Sequence, residues 1–108
     1  MEGRTAADTL DADQLGAEPG RRATLVQFST AFCQPCRATR RVLAQVAGMV
    51  DGVAHIEIDA EAHLTLVRRL GISRTPTVLV LDAQGRVVRR ATGTPRTADV
   101  VAALGQAM

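Results

Sequence analysis

The chain has 108 residues, 46% of them hydrophobic, with 13 basic and 11 acidic side chains and a formal charge of +2. That length fills one core and not two, the charge is too balanced to point to nucleic acid, and no apolar run approaches the ~18 residues of a membrane span. Phe28 and Phe32 are the only aromatics, so the core must be aliphatic, and every basic residue is Arg, so no lysine can act as acid, base or Schiff-base former.

The first residues, Met1 to Asp8, lack the basic-then-apolar order of a signal peptide. The expectation is a flexible segment over residues 1–8 and one domain over residues 9–108, in a cytoplasmic protein. A piece cut from downstream of a membrane anchor would instead be extracytoplasmic. Up to Arg22 the chain is polar and broken by Pro19-Gly20, and only Leu10 and Leu15 can reach a core. A short strand or turn is expected near Thr9–Leu15, packed on the domain edge.

Ala23 to Phe28 is a near-continuous apolar run of strand length, as suits a central strand covered on both faces. From Gln34 to Val50 the positions Ala38, Val42, Leu43, Val46, Ala47 and Val50 form a helical stripe, with Arg37, Arg40, Arg41 and Gln45 opposite. Pro35 falls in the first turn, where a missing N–H costs little. Val53 to Asp59 alternates as a second strand, parallel to the first because a helix joins them. Glu61 to Leu70 reads as a shorter helix with His63, Leu66, Val67 and Leu70 inward, ended by Gly71. Thr77–Leu81 is a third strand, Asp82-Ala83-Gln84-Gly85 a turn, and Arg86–Arg90 a fourth, antiparallel strand. A last helix runs from Pro95 or Ala98 to Gln106, with Val100, Val101 and Leu104 inward. The fold class is α/β: a mixed sheet, a parallel βαβ unit followed by a β-hairpin, flanked by helices on both faces.

Both cysteines of the chain lie where the first strand meets the first long helix, as Cys33-Gln34-Pro35-Cys36. Cys33 falls at the start of the helix, where unpaired N–H groups and the helix dipole favour an anion. A thiolate is such an anion, so Cys33 is expected to be the attacking sulfur. A spacing of three puts Cys36 on the same side of the turn, within bonding reach. A free buried pair or a stapling disulfide is the structural alternative, but so short a loop gains little stability from closure. A zinc site from Cys33, Cys36, His55 and His63 is disfavoured, because seven residues separate the histidines, outside the ~3–5 of finger sites.

A Cys-x-x-Cys between a strand and a helix of a βαβ pattern is a thioredoxin-like signature. With Val26-Gln27-Phe28, Ile58-Asp59, Gly71-Ile72, Thr75-Pro76-Thr77 and Gly93, the chain resembles the thioredoxin family from about Leu10 to Met108. The resemblance implies the thioredoxin fold and a thiol–disulfide oxidoreductase that reduces, or exchanges, disulfides in protein substrates. It implies Cys33 as nucleophile, Cys36 as resolving cysteine, and Pro76 as a cis proline beside them. Phe32, Gln34, Pro35, Thr75 and Gly93 would border the substrate. No cofactor and no metal are implied. The expected partners are disulfide substrates and a recycling reductase or dithiol donor, with no nucleic acid and no membrane segment, for a monomer.

Three positions depart from the family pattern. Phe32 stands where Trp is usual, and Gln34-Pro35 where Gly-Pro is usual, which should shift the redox potential. Gln27 stands where a buried Asp normally helps to deprotonate the resolving cysteine, and Gln takes no proton. His55, on the neighbouring strand, is a candidate replacement base. The plainer reading is a buried histidine hydrogen-bonded in place. The second functional reading is a redox-poised binding module with little general reductase activity, serving one dedicated (extracytoplasmic) partner.

Overall fold

The computed structural model describes residues 8–108. The flexible segment expected over residues 1–8 lies, apart from Asp8, outside the described residues. Strand β1, Ala23–Ser29, is central, and all seven of its residues are buried. It pairs in parallel with β2, Val53–Asp59, and antiparallel with β3, Thr77–Asp82. β4, Val87–Thr92, pairs antiparallel with β3, giving the sheet order β2-β1-β3-β4. The continuous apolar run of β1 is therefore explained by cover on both faces.

Successive side chains of β1 point to opposite faces, and each face has its own core. On one side Leu25, Val78 and Val80 pack with Leu43 and Val46 of α2, Gln34–Met49, and with Leu104 of α4, Thr97–Ala107. On the other, Val26, Phe28 and Leu79 pack with Leu10 and with Leu15 of α1, Ala12–Leu15. Leu66 and Val67 of α3, Leu64–Arg69, close over that side. Each fully buried aliphatic side chain contributes about 1.5–3 kcal/mol of transfer free energy.

The segment at Thr9–Leu15, expected as a strand or turn, is both bridge and helix. Thr9 makes an isolated bridge to Arg86, and α1 follows with a capping box at Asp11 and Gln14. Leu10 and Leu15 are both in the core.

The helix expected over Glu61–Leu70 is divided. A 3₁₀ turn, Ala60–Ala62, capped by the Asp59 carboxylate, precedes α3. The break at His63, φ −133° and ψ 53°, takes that residue off the helical stripe. His63 is consequently exposed rather than inward, and its Nδ1 lies 2.9 Å from the Asp59 carbonyl. Val101 is also a correction: it is 47% exposed, because α4 turns Val100, Ala103, Leu104 and Ala107 to the sheet instead.

β4 starts at Val87 and not at Arg86, because Arg86 belongs to the turn. Asp82 Oδ1 accepts from the N–H groups of Gln84 and Arg86, at 2.9 and 3.0 Å. Asp82 Oδ2 accepts from Arg86 Nε at 3.0 Å. Gly85 has φ 82°, and a Cβ there would overlap the Leu10 carbonyl oxygen. Only glycine combines that backbone angle with that approach.

Candidate active site

The apolar β1 runs out at Ser29, and the chain turns through Thr30, Ala31 and Phe32 into α2. Phe32 is the turning point. Its φ is 59°, a conformation that non-glycine residues rarely adopt, and its side chain is fully exposed. Cys33 then occupies the N-cap of α2, and Pro35 lies in the first turn. The Cys33 sulfur accepts a hydrogen bond from the Cys36 N–H at 3.2 Å, standing where a capping oxygen ordinarily would. Cys33 and Cys36 form a disulfide across a Cα separation of 5.2 Å. Cys33 is half-buried, whereas Cys36 is 1% exposed. A helix N-terminus favours thiolate at the more accessible sulfur.

Pro76 is buried and follows a cis peptide bond from Thr75. The Thr75 hydroxyl is 3.0 Å from that of Thr30, which ties the segment before β3 to the loop after β1. The Gly93 N–H donates to the Pro76 carbonyl at 2.9 Å, and Gly93 has φ 79°. Beside Thr75 a concavity of about 230 Å³ opens between Thr30, Leu64, Val67 and Ile72. Gln34 and Pro35 are exposed at the start of α2.

Beneath the cysteines lies a closed polar cluster. Gln27 is completely buried, and its Nε2 donates to the Cys36 carbonyl at 2.7 Å and to Ser29 Oγ at 3.0 Å. Its Oε1 is 3.2 Å from His55 Nε2, so the two residues expected as neighbours do meet. An amide oxygen only accepts, so His55 Nε2 must carry the proton. Burial pushes the His55 pKa below its ordinary value, and the Arg40 charge adds to this while the Glu57 carboxylate opposes it. Glu57 receives two hydrogen bonds from Arg40, at 2.6 and 2.8 Å. Chiefly through Arg40, its pKa is held below the ordinary carboxylate value.

Comparison with known proteins decides the assignment. Residues 11–108 match the family described as thioredoxin-like domain. The chain belongs to that family. It is a thiol–disulfide oxidoreductase, with the redox-active disulfide at Cys33–Cys36. The chain is 29% identical to a thioredoxin of Mycolicibacterium smegmatis over 94% of its own length and 89% of that protein's. Against a thioredoxin H-type of Oryza sativa subsp. indica the identity is 23%, over 68% of this chain and 61% of that one. Among solved structures, chloroplastic thioredoxin z superposes with a TM-score of 0.70 at 28% identity, covering 80% of this chain and 78% of that one. Thioredoxin f from spinach chloroplast gives 0.69 at 26%, covering 82% and 78%.

In this thioredoxin-like domain three hydroxyls complete the site without having been legible beforehand. Thr30 holds Thr75, as described. Thr39, fully buried on α2, donates to the Pro35 carbonyl at 2.8 Å, and the Thr94 hydroxyl lies 3.0 Å from Thr39 and 3.2 Å from the same carbonyl. The loop after β4 is thereby fastened to the first turn of α2. The one sequence signal was Thr39 sitting within an apolar helical stripe. Among the described residues no group of three or more His, Cys, Asp or Glu side chains is placed to hold a metal ion.

Proposed function

We propose that this domain, over residues 9–108, reduces or exchanges disulfides in protein substrates, with Cys33 as nucleophile and Cys36 as resolving cysteine. The observation that carries the reading is the difference between the two sulfurs. Cys33 is half-buried at a helix N-cap and Cys36 is 1% exposed behind it. In the dithiol form the Cys33 thiolate attacks one substrate sulfur, and the other leaves as a thiolate that takes a proton from water. Cys36 gives its proton to water and attacks Cys33 Sγ. The Cys33–substrate bond breaks, and the second substrate thiolate leaves. Two electrons pass from the dithiol to the substrate disulfide, and a dithiol donor or reductase must restore them.

Phe32, Gln34, Pro35, Thr75 and Gly93 form the rim against which a substrate chain lies. The Phe32 ring supplies the apolar contact, the segment before the cis proline offers backbone groups, and the concavity beside Thr75 receives a substrate side chain. The disulfide exchange itself needs no bound cofactor. Among the described residues no helix is long and apolar enough to cross a membrane.

The test is reduction of an insulin-type disulfide with a dithiol as electron donor. Turnover is expected in the wild type and absent in Cys33→Ser, while Cys36→Ser should trap the mixed disulfide. No turnover from a protein whose two thiols still titrate would support the other reading, a redox-poised module for one dedicated partner.

A further inference from the structure

Buried polar side-chain atoms are as a rule hydrogen-bonded, and each polar atom of Gln27 has a partner. Its two amide protons go to the Cys36 carbonyl and Ser29 Oγ, and its oxygen faces His55 Nε2. Reversing the amide would aim its oxygen at the Cys36 carbonyl, acceptor against acceptor. One orientation is therefore enforced by the Cys36 carbonyl, and His55 Nε2 meets the amide oxygen from the edge strand. The 2.7 Å bond joins β1 to the first turn of α2 at the residue that carries the second sulfur.

We propose that Gln27 is a positioning residue for the resolving step. Its amide, oriented by the carbonyl to which it donates, holds the Cys36 backbone so that the Cys36 sulfur faces the Cys33–substrate disulfide. This rests on the reading of Cys33 as the attacking sulfur and gives the chain's own device for the step that follows. The geometry of the cluster bears on proton traffic as well. Gln27 takes no proton, and His55 turns an N–H, not a lone pair, toward it. Neither the Gln27 amide nor the His55 nitrogen that faces it is thus placed to take the Cys36 proton. Ser29 is the third member of the cluster, accepting from Gln27 Nε2, and it also helps to hold the Glu57 pKa down.

The charged or titratable side chains around Gln27 are His55 and Glu57 from β2 and Arg40 and Cys36 from α2; β3 presents Val78 opposite it. That setting allows a test with a readout that mere packing would not move. The reduced full-length chain is mixed with an aromatic disulfide, dithiobis(nitrobenzoate), in a stopped-flow instrument. Cys33 attack releases the first nitrothiolate, and Cys36 attack on the mixed disulfide releases the second.

Gln27→Leu removes all three hydrogen bonds at similar volume, and the ratio of second-phase to first-phase rate should fall by about ten- to a hundredfold, the upper figure being the scale of a reacting group misplaced by about 1 Å. Gln27→Glu can donate only while its carboxyl is protonated. Its second-phase rate relative to wild type should therefore climb as pH falls, while the same ratio for Gln27→Leu stays flat. An unchanged phase ratio in Gln27→Leu overturns the proposal, and so does a flat pH profile for Gln27→Glu. If the leucine variant does not fold, the glutamate profile alone decides. Failure of wild-type Cys33 to release the first nitrothiolate would instead overturn the exchange reading, and is seen in a different phase.

Discussion

The Cys36 backbone N–H points at the Cys33 sulfur, 3.2 Å away, so the first cysteine caps the helix turn that carries the second. In the disulfide that contact is a weak hydrogen bond to neutral sulfur. In the dithiol the same N–H, with the start of α2 behind it, faces a sulfur that can carry charge.

The first prediction follows from that contact. The Cys33 thiol should titrate below the ~8.5 of a free cysteine, and Cys36, buried and without such a cap, should not. Alkylation rates measured against pH on single Cys→Ser variants would give each value. Equal reactivity of both sulfurs at neutral pH would contradict it.

His55 should make the fold sensitive to mild acid. Its pKa in the fold is lowered by burial, so the unfolded chain takes up this proton at higher pH than the native one does. Between the unfolded value near 6.5 and the lower folded value, the unfolded state binds more protons, and stability falls as pH falls. Melting temperatures of wild type and His55→Gln, compared over about 1.5 pH units either side of the unfolded histidine value near 6.5, would check this. The wild type should lose more than the variant over the acid half.

Arg40 sets the acidity of its neighbours. Its two hydrogen bonds are the largest influence holding the Glu57 pKa down, and its charge lowers that of His55. In Arg40→Ala both values should rise, observable by NMR titration of the His55 ring and the Glu57 carboxyl. Because the depressed Glu57 pKa gives stability that is lost as pH falls through the folded value, the variant should also lose part of its acid tolerance. A His55 midpoint that did not move would break this link.

The hairpin turn should be a point of marked fragility. Asp82→Ala leaves the N–H groups of Gln84 and Arg86 without their acceptor. A loss of about 1–3 kcal/mol is expected from the groups left unsatisfied. Gly85→Ala adds a Cβ against the Leu10 carbonyl at φ 82°, and should cost at least as much. Gly93→Ala, at φ 79° but with open space around the added atom, should cost less than Gly85→Ala. Urea denaturation of the three variants would rank them, and a Gly93→Ala as damaging as Gly85→Ala would refute the steric part.

Much of the site was readable because its signals are local. The cysteine spacing, the apolar run before it and Pro35 just inside the helix all lie within about fifteen residues, and Thr75-Pro76 precedes an obvious strand. Gln27 and His55 were readable as neighbours because alternation put each on a known strand. Three features were not. Thr39 and Thr94 meet across 55 residues of sequence, and nothing in either segment alone announces the partner. His63 lay on an apolar stripe, yet one non-helical residue at that position moved it to the surface. Val101 sat at helical spacing from Val100 and Leu104, and only the direction from which the sheet approaches α4 decided which of them is covered.

Local chemistry thus determined, from the sequence by itself, that a dithiol stands at a helix start behind a buried strand, since periodicity and capping act over one or two turns. The tertiary structure alone decided what surrounds that dithiol. Hydrogen-bond partners from β1, β2 and α2 converge on Gln27 because strand pairing and helix packing bring distant residues to one point. Whether a buried amide there holds a cysteine in place or merely fills space depends on distances that no linear pattern carries.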